Sequence, residues 1–177
     1  MDINQFVARS VGRWRSQRSA HHLAFRHFEA VESVIDIIGL DLKDNRVIQL
    51  CQQHDVDPSL AVSPFYMAWE GQSDWDDTAV SKGSTVLVPV PDPEDPGKGK
   101  LLREQGYAES GAAIGQYHFT EDQTFVLITP YDQTSAEEKI WFGTDNLRFR
   151  VSLIKTANGT GVVTASFASE VRSTDPS

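Results

Sequence analysis

The chain has 177 residues, 40% hydrophobic and 23% charged, with 25 acidic residues against 16 basic ones and a formal charge of −9. That length allows one domain with a sizeable core, and the charge excludes a general nucleic-acid or acidic-membrane binder, whose affinity comes from many Lys and Arg set against phosphates. The single cysteine, Cys51, excludes an internal disulfide and a cysteine-cluster metal site.

In chain order, Asp2 or Asn4 caps a short helix over about 1–11, with Phe6, Val7 and Val11 on one side; Gly12 interrupts it. From Arg13 the pattern is that of a strand: Trp14, Ser16, Arg18, Ala20 and His22 share one face, and His21 falls on the other. A second extended run covers 32–40 with Val34, Ile35, Ile37 and Ile38, and D-L-K-D turns the chain. Residues 44–54 read as a helix, because Val47, Leu50, Cys51 and His54 recur at three and four residues; D-V-D-P ends it. Thereafter nearly everything is strand: 62–70, 84–90, 101–108, 113–119, 124–130, 136–142, 147–154 and 161–168, separated by polar, Pro and Gly breakers. The Pro/Gly-rich run 91–100 is expected as a surface loop within a single domain spanning 1–177, and T-A-N-G-T-G as a hairpin.

Ten strands with an embedded helix resolve as a sandwich or a closed barrel. Gln116 and His118 alternate with Tyr117 and Phe119, and other runs also carry polar residues on both faces. That favours a barrel with a partly polar interior over a dry sandwich. No run approaches the roughly 20 apolar residues that span a bilayer. The first ten residues lack the apolar stretch of a secretory signal, so a cytoplasmic protein is expected.

The segment 146–153, N-L-R-F-R-V-S-L, sets Arg148 and Arg150 on one face and Leu147, Phe149, Val151 and Leu153 on the other. Side chains two residues apart on a strand stand roughly 7 Å apart, a spacing at which two guanidinium forks can each grip a carboxylate. The competing reading buries the apolar face and leaves the arginines solvated, and the residues alone leave both open. Arg18 shares a face with Trp14; a guanidinium beside an aromatic slab suits a flat anionic π-system, and equally a solvated edge strand. His21 and His22 point opposite ways, and five histidines in no spacing pattern give no metal site. Trp69 and Trp75 bracket a turn with Asp74, and Asp76 and Asp77 follow; one tryptophan is expected in the core and the other at a pocket rim. Cys51, on the apolar side of its helix, reads as a buried structural thiol. No G-x-S-x-G, G-x-G-x-x-G, P-loop or H-E-x-x-H occurs, which leaves no serine triad and no nucleotide loop.

The motifs G-R-W-R-S-Q-R-S-A-H-H-L, V-I-Q-L-C-Q-Q-H-D-V-D-P, S-T-V-L-V-P-V-P-D-P, L-L-R-E-Q-G-Y-A-E, E-E-K-I-W-F and N-L-R-F-R-V-S resemble those of the CpcS/CpeS family of phycobiliprotein chromophore lyases. The resemblance implies an all-β, lipocalin or fatty-acid-binding-protein-like antiparallel barrel of ten strands with one or two helices. It implies a protein without a prosthetic group that takes a free phycobilin, most often phycocyanobilin. The pigment would be joined by a thioether to a cysteine of an apo-phycobiliprotein subunit of phycocyanin, allophycocyanin or phycoerythrin type. Carried over residue by residue, the resemblance makes Arg18, Arg148, Arg150 and His21 catalytic. It makes Trp14, Trp69, Trp75, Trp141 and His22, with the same three arginines, contacts of the pigment. A homodimer is compatible with the exposed apolar faces; no metal, nucleic acid or membrane insertion is implied. The rival reading is a non-catalytic carrier of a tetrapyrrole or a fatty acid. One segment departs from the family pattern: 25–33, F-R-H-F-E-A-V-E-S, is bulkier than expected and is read as a longer strand or a short helix.

Overall fold

The computed structural model describes residues 1–73, 76–104, 114–156, 158 and 161–174, without the side chains at 24, 73 and 76–80. The alternation becomes ten antiparallel strands: β1 (Gly12–His22), β2 (His27–Gly39), β3 (Phe65–Ser73), β4 (Asp76–Pro91), β5 (Lys98–Arg103), β6 (Ile114–Phe119), β7 (Phe125–Pro130), β8 (Thr134–Thr144), β9 (Leu147–Thr156) and β10 (Val162–Arg172). Each strand pairs with its sequence neighbours, and β10 closes back onto β1. Closure satisfies every strand edge and makes the barrel the expected fold class. Two helices complete it, α1 (Ile3–Ser10) and α2 (Asn45–Gln53). Among the described residues, no helix is long and apolar enough to cross a membrane.

Register decides which face is interior. Trp14 lies opposite Ile35 on β2 and Arg172 on β10, Ser16 opposite Ser33 and Glu170, and Arg18 opposite Val31 and Ala168. The rows continue across β9, where Arg148 faces Glu170, Arg150 faces Ala168 and Ser152 faces Ser166. Trp14, Ile35, Leu87, Leu101, Tyr117 and Ile140 belong to the core cluster inside the barrel. The two arginines of β9 therefore point inward, and Leu147, Phe149, Val151 and Leu153 point outward. This is the inverse of the solvated-arginine reading.

One end of the barrel is plugged. Asp2 caps α1 in a capping box with Gln5, and its apolar face carries Ile3, Phe6 and Val7 into the core. Phe6 stacks on Phe125 at 4.3 Å and meets Phe119 and Phe142 edge-on. The last carbonyls of a helix need donors; Arg172 supplies them, donating to the carbonyls of Arg9 at 2.7 Å and Val11 at 2.6 Å. Gly12 is required at this junction. Its φ is +132°, and a Cβ there would lie 2.5 Å from Nη1 of Arg172. α2 sits outside the barrel, where Val47, Leu50 and Cys51 pack on Val86, Val88 and Leu102 of β4 and β5.

Several boundaries differ from the sequence reading. β2 begins at His27 rather than 32, because hairpin pairing with β1 runs unbroken to His22 opposite His27. Of the two alternatives for the bulky segment 25–33, the longer strand is the one found, from His27 on; a 3-10 turn over Leu23–Phe25 precedes it. β5 takes Lys98, Gly99 and Lys100 from the predicted loop, since Pro91 pairs with Gly99 and Val90 with Lys100. Residues 105–108 of the expected strand 101–108 lie outside the described residues.

Candidate functional site

With one end closed by α1, the inward-facing rows run on toward the other, where β1 ends and β2 begins. The two halves differ in chemistry. The closed half is aromatic and dry, and the open half is walled by Arg18, Glu138, Arg150, Ser152 and Ser166 on the inward rows.

At the boundary between them lies a buried ion network. Arg148, 1% exposed, donates Nε to Glu170, which is equally buried. The Arg148 guanidinium lies 4.5 Å above the Trp14 ring, and that of Arg172 lies 4.3 Å from the same ring. Trp14 Nε1 donates to the Ser10 carbonyl at 2.8 Å, so the indole is fixed from every side. Arg150 donates Nε to Glu170 at 3.2 Å and Nη1 to Glu138 at 3.1 Å. Burial pushes the Arg148 guanidinium down to about 10, against the attraction of Glu170, and leaves it charged at neutral pH. Burial alone would raise the Glu170 carboxyl; Arg150 and Arg148 outweigh it and hold it below the ordinary value. Arg150 is likewise opposed by burial but raised by Glu170 and Glu138.

The arginines are therefore not equivalent. Arg148 and Trp14 are sealed beneath the open half. Arg150 reaches upward, and Arg18 lies on the same row two strands away, with only Ala168 between them. Two strand spacings amount to roughly 10 Å. Arg18 is exposed and has no ion-pair partner among the described residues. Trp69, opposite Ile35, lines the wall at 36% exposure, its indole seated on Gly83, where a Cβ would lie 2.5 Å from Cζ2. His22 faces the lumen; His21 faces outward against Phe28 at 5.1 Å. Trp141 is also on the outer face, 5.5 Å from Phe149. Trp75 lies outside the described residues. Glu138 and Glu170 were missed in the sequence, although each shares a face with a small or apolar inward residue two positions away, Glu138 with Ile140 and Glu170 with Ala168.

A broad open groove of about 1630 Å3 runs along the outer side of β1–β4, lined by Arg13, Glu32, Asp36, Glu70 and Lys82 among others. Arg13 and Asp36 pair across it at 2.7 Å, as on a solvated sheet face.

The ten-stranded barrel and its sequence are found again in known proteins. The family described as CpeS-like protein matches residues 2–173. The chain belongs to the CpcS/CpeS family. It is 61% identical over 173 residues to chromophore lyase CpcS/CpeS 3 of Trichodesmium erythraeum, covering 98% of this chain and 100% of the relative. A Microchaete diplosiphon protein provisionally named phycoerythrobilin lyase CpeS is 58% identical over 89% of this chain and 71% of its own length. Among solved structures, the S-type phycobiliprotein lyase CpeS of Guillardia theta superposes with a TM-score of 0.87 at 46% identity, covering 99% of this chain and 95% of that one.

Proposed function

We propose that this protein is a phycobilin lyase. It holds the free tetrapyrrole in the open half of its barrel and presents it to a cysteine of an apo-phycobiliprotein subunit, with a thioether as product. The observation that carries this reading is the inward row Arg18–Ala168–Arg150, with Trp69 on the inward face of β3. A bilin is flat and conjugated and bears two propionates. Trp69 supplies a stacking face, Arg18 and Arg150 supply cations, and Ala168 and Ser166 leave room between the strands. Arg148, Glu170 and Trp14 brace Arg150 from below. Since α1 fills the other end, the acceptor thiol meets the pigment at the mouth, and holding the two reactants in one orientation is the chief contribution to rate.

Related proteins divide over the pigment. The relative named for phycoerythrobilin is 58% identical, and a phycocyanobilin lyase subunit of Picosynechococcus is 41% identical. That ranking favours phycoerythrobilin over the phycocyanobilin expected from the resemblance. The outward stack of Trp141, Phe149 and Phe167 supports self-association as a homodimer.

The test mixes the protein with either bilin and an apo-subunit, then assays the denatured product for thioether-linked pigment. One cysteine is expected to gain pigment faster and more cleanly than without the protein. Arg18→Ala is expected to weaken pigment binding by roughly ten- to a hundredfold, the worth of one charge-assisted hydrogen bond. A protein that shifts the pigment's spectrum but leaves attachment unchanged is a carrier instead.

A further inference from the structure

Just above the dry core, the inward face of β1–β4 is nearly bare. One row across these strands runs Ser16, Ser33, Gly71 and Ser81. The row beneath it, toward α1, runs Trp14, Ile35, Trp69 and Gly83. Among these residues only Trp69 is both large and exposed, and Gly83 stands directly opposite it on β4.

The backbone gives Gly83 no reason to be glycine. It lies inside β4, and its φ is outside the left-handed region that favours that residue. A glycine within a strand weakens the strand and marks a place where another group approaches the backbone closely. Here that group is the Trp69 indole. A Cβ on Gly83 would lie 2.5 Å from Cζ2, 2.9 Å from Cε2 and 3.0 Å from Cη2. All three atoms belong to the six-membered ring, which therefore lies across the glycine. Since ordinary contact begins at 3.4 Å, any side chain at this position would push the ring off β4 toward the lumen. The small residues of the next row give the displaced ring nothing else to lean on.

We propose that Gly83 is a positioning residue of the pigment site, a role that rests on the function proposed above. By lacking a side chain it lets the indole lie back on β4, and this fixes the stacking face that the tetrapyrrole meets. It also keeps the space over Ser33, Gly71 and Ser81 clear for the pigment's rings. A wall so bare suits an extended, flat, conjugated ligand whose faces need room and whose charges are held elsewhere. An indole displaced from β4 intrudes on that space and tilts the pigment.

The test is a double-mutant cycle of Gly83→Ala, Trp69→Phe and the combined variant. Each is read by absorbance titration with phycoerythrobilin, by circular dichroism of the bound pigment and by urea denaturation. Trp69→Phe keeps both cations and binds measurably, and its smaller ring leaves room for a Cβ at position 83. Gly83→Ala alone is expected to weaken binding about tenfold, the worth of one aromatic contact, and to change the pigment's circular dichroism. In the Trp69→Phe background the same alanine is expected to cost less than about twofold and to leave that spectrum unchanged. Gly83→Ala with wild-type affinity and spectrum overturns the positioning role and leaves the lyase function standing. An equal loss in both backgrounds also overturns it: Gly83 then acts on the strand if the urea midpoint falls with binding, and touches the pigment itself if the midpoint holds. A wild type that neither binds the pigment nor speeds its attachment overturns role and function together.

Discussion

Arg148 and Arg150 sit two residues apart on one strand and do different work. Arg148 is committed to Glu170 and the Trp14 ring, while Arg150 bridges Glu170 to Glu138 and so stands between the sealed half of the barrel and the open one. Removing Arg148 takes from buried Glu170 one of its arginine partners and leaves it to Arg150, at a cost of up to about 3–5 kcal/mol. Arg148→Ala is accordingly expected to lower the urea midpoint by that equivalent. The same network has a pH signature. The Glu170 carboxyl is held below its ordinary value in the folded protein, so its contribution is complete above about pH 4.3 and is lost as pH falls through the folded value. Glu170→Gln should be less stable at neutral pH and show a shallower loss of stability on acidification; urea titrations from about pH 7 down to about pH 3 would show both. The arginines were legible as a pair because they break an otherwise apolar alternation. Their division of labour was not, because Glu170 is 22 residues from Arg148 and only strand pairing brings them together.

On the scale of elements, α1 is the part that makes the barrel one-ended. Phe6 is buried among Phe119, Phe125 and Phe142, and truncating such a ring costs about 3–5 kcal/mol. Phe6→Ala is expected to lower the denaturation midpoint by that amount while the strand content seen by circular dichroism persists at low denaturant. The helix itself was readable from its cap and its apolar positions. That it plugs a barrel was not, since amphipathicity specifies that a face is buried but not what it is buried against. Strand boundaries fared similarly. The β1 alternation was read correctly through His22, and the missing first residues of β2 carry too many bulky and charged side chains to show a clean period. Their strand state comes from pairing with β1.

For the molecule as a whole, closure of β10 onto β1 creates an inside that α1 plugs at one end, and the lone thiol lies outside that space, between α2 and the barrel wall. Burial, and secondarily the negative charge of Asp57, pushes the Cys51 thiol up. A thiol reagent should therefore label Cys51 only after denaturation, and Cys51→Ala should attach pigment at the wild-type rate within about twofold. Labelling of the native protein, or loss of attachment, would put Cys51 into the chemistry. By itself the sequence determined the class of fold and the family. Period-two alternation, breaker spacing and long ordered motifs are local properties, and folding does not alter them. It also determined that one strand face would carry paired cations. Only the tertiary structure decided that this face points inward, that Arg18 rather than Arg148 shares the accessible space with Arg150, and that His22 rather than His21 looks into the mouth. The reason is geometric. A strand offers two equivalent faces, and which becomes the interior is settled when the sheet closes and buries the side that packs best.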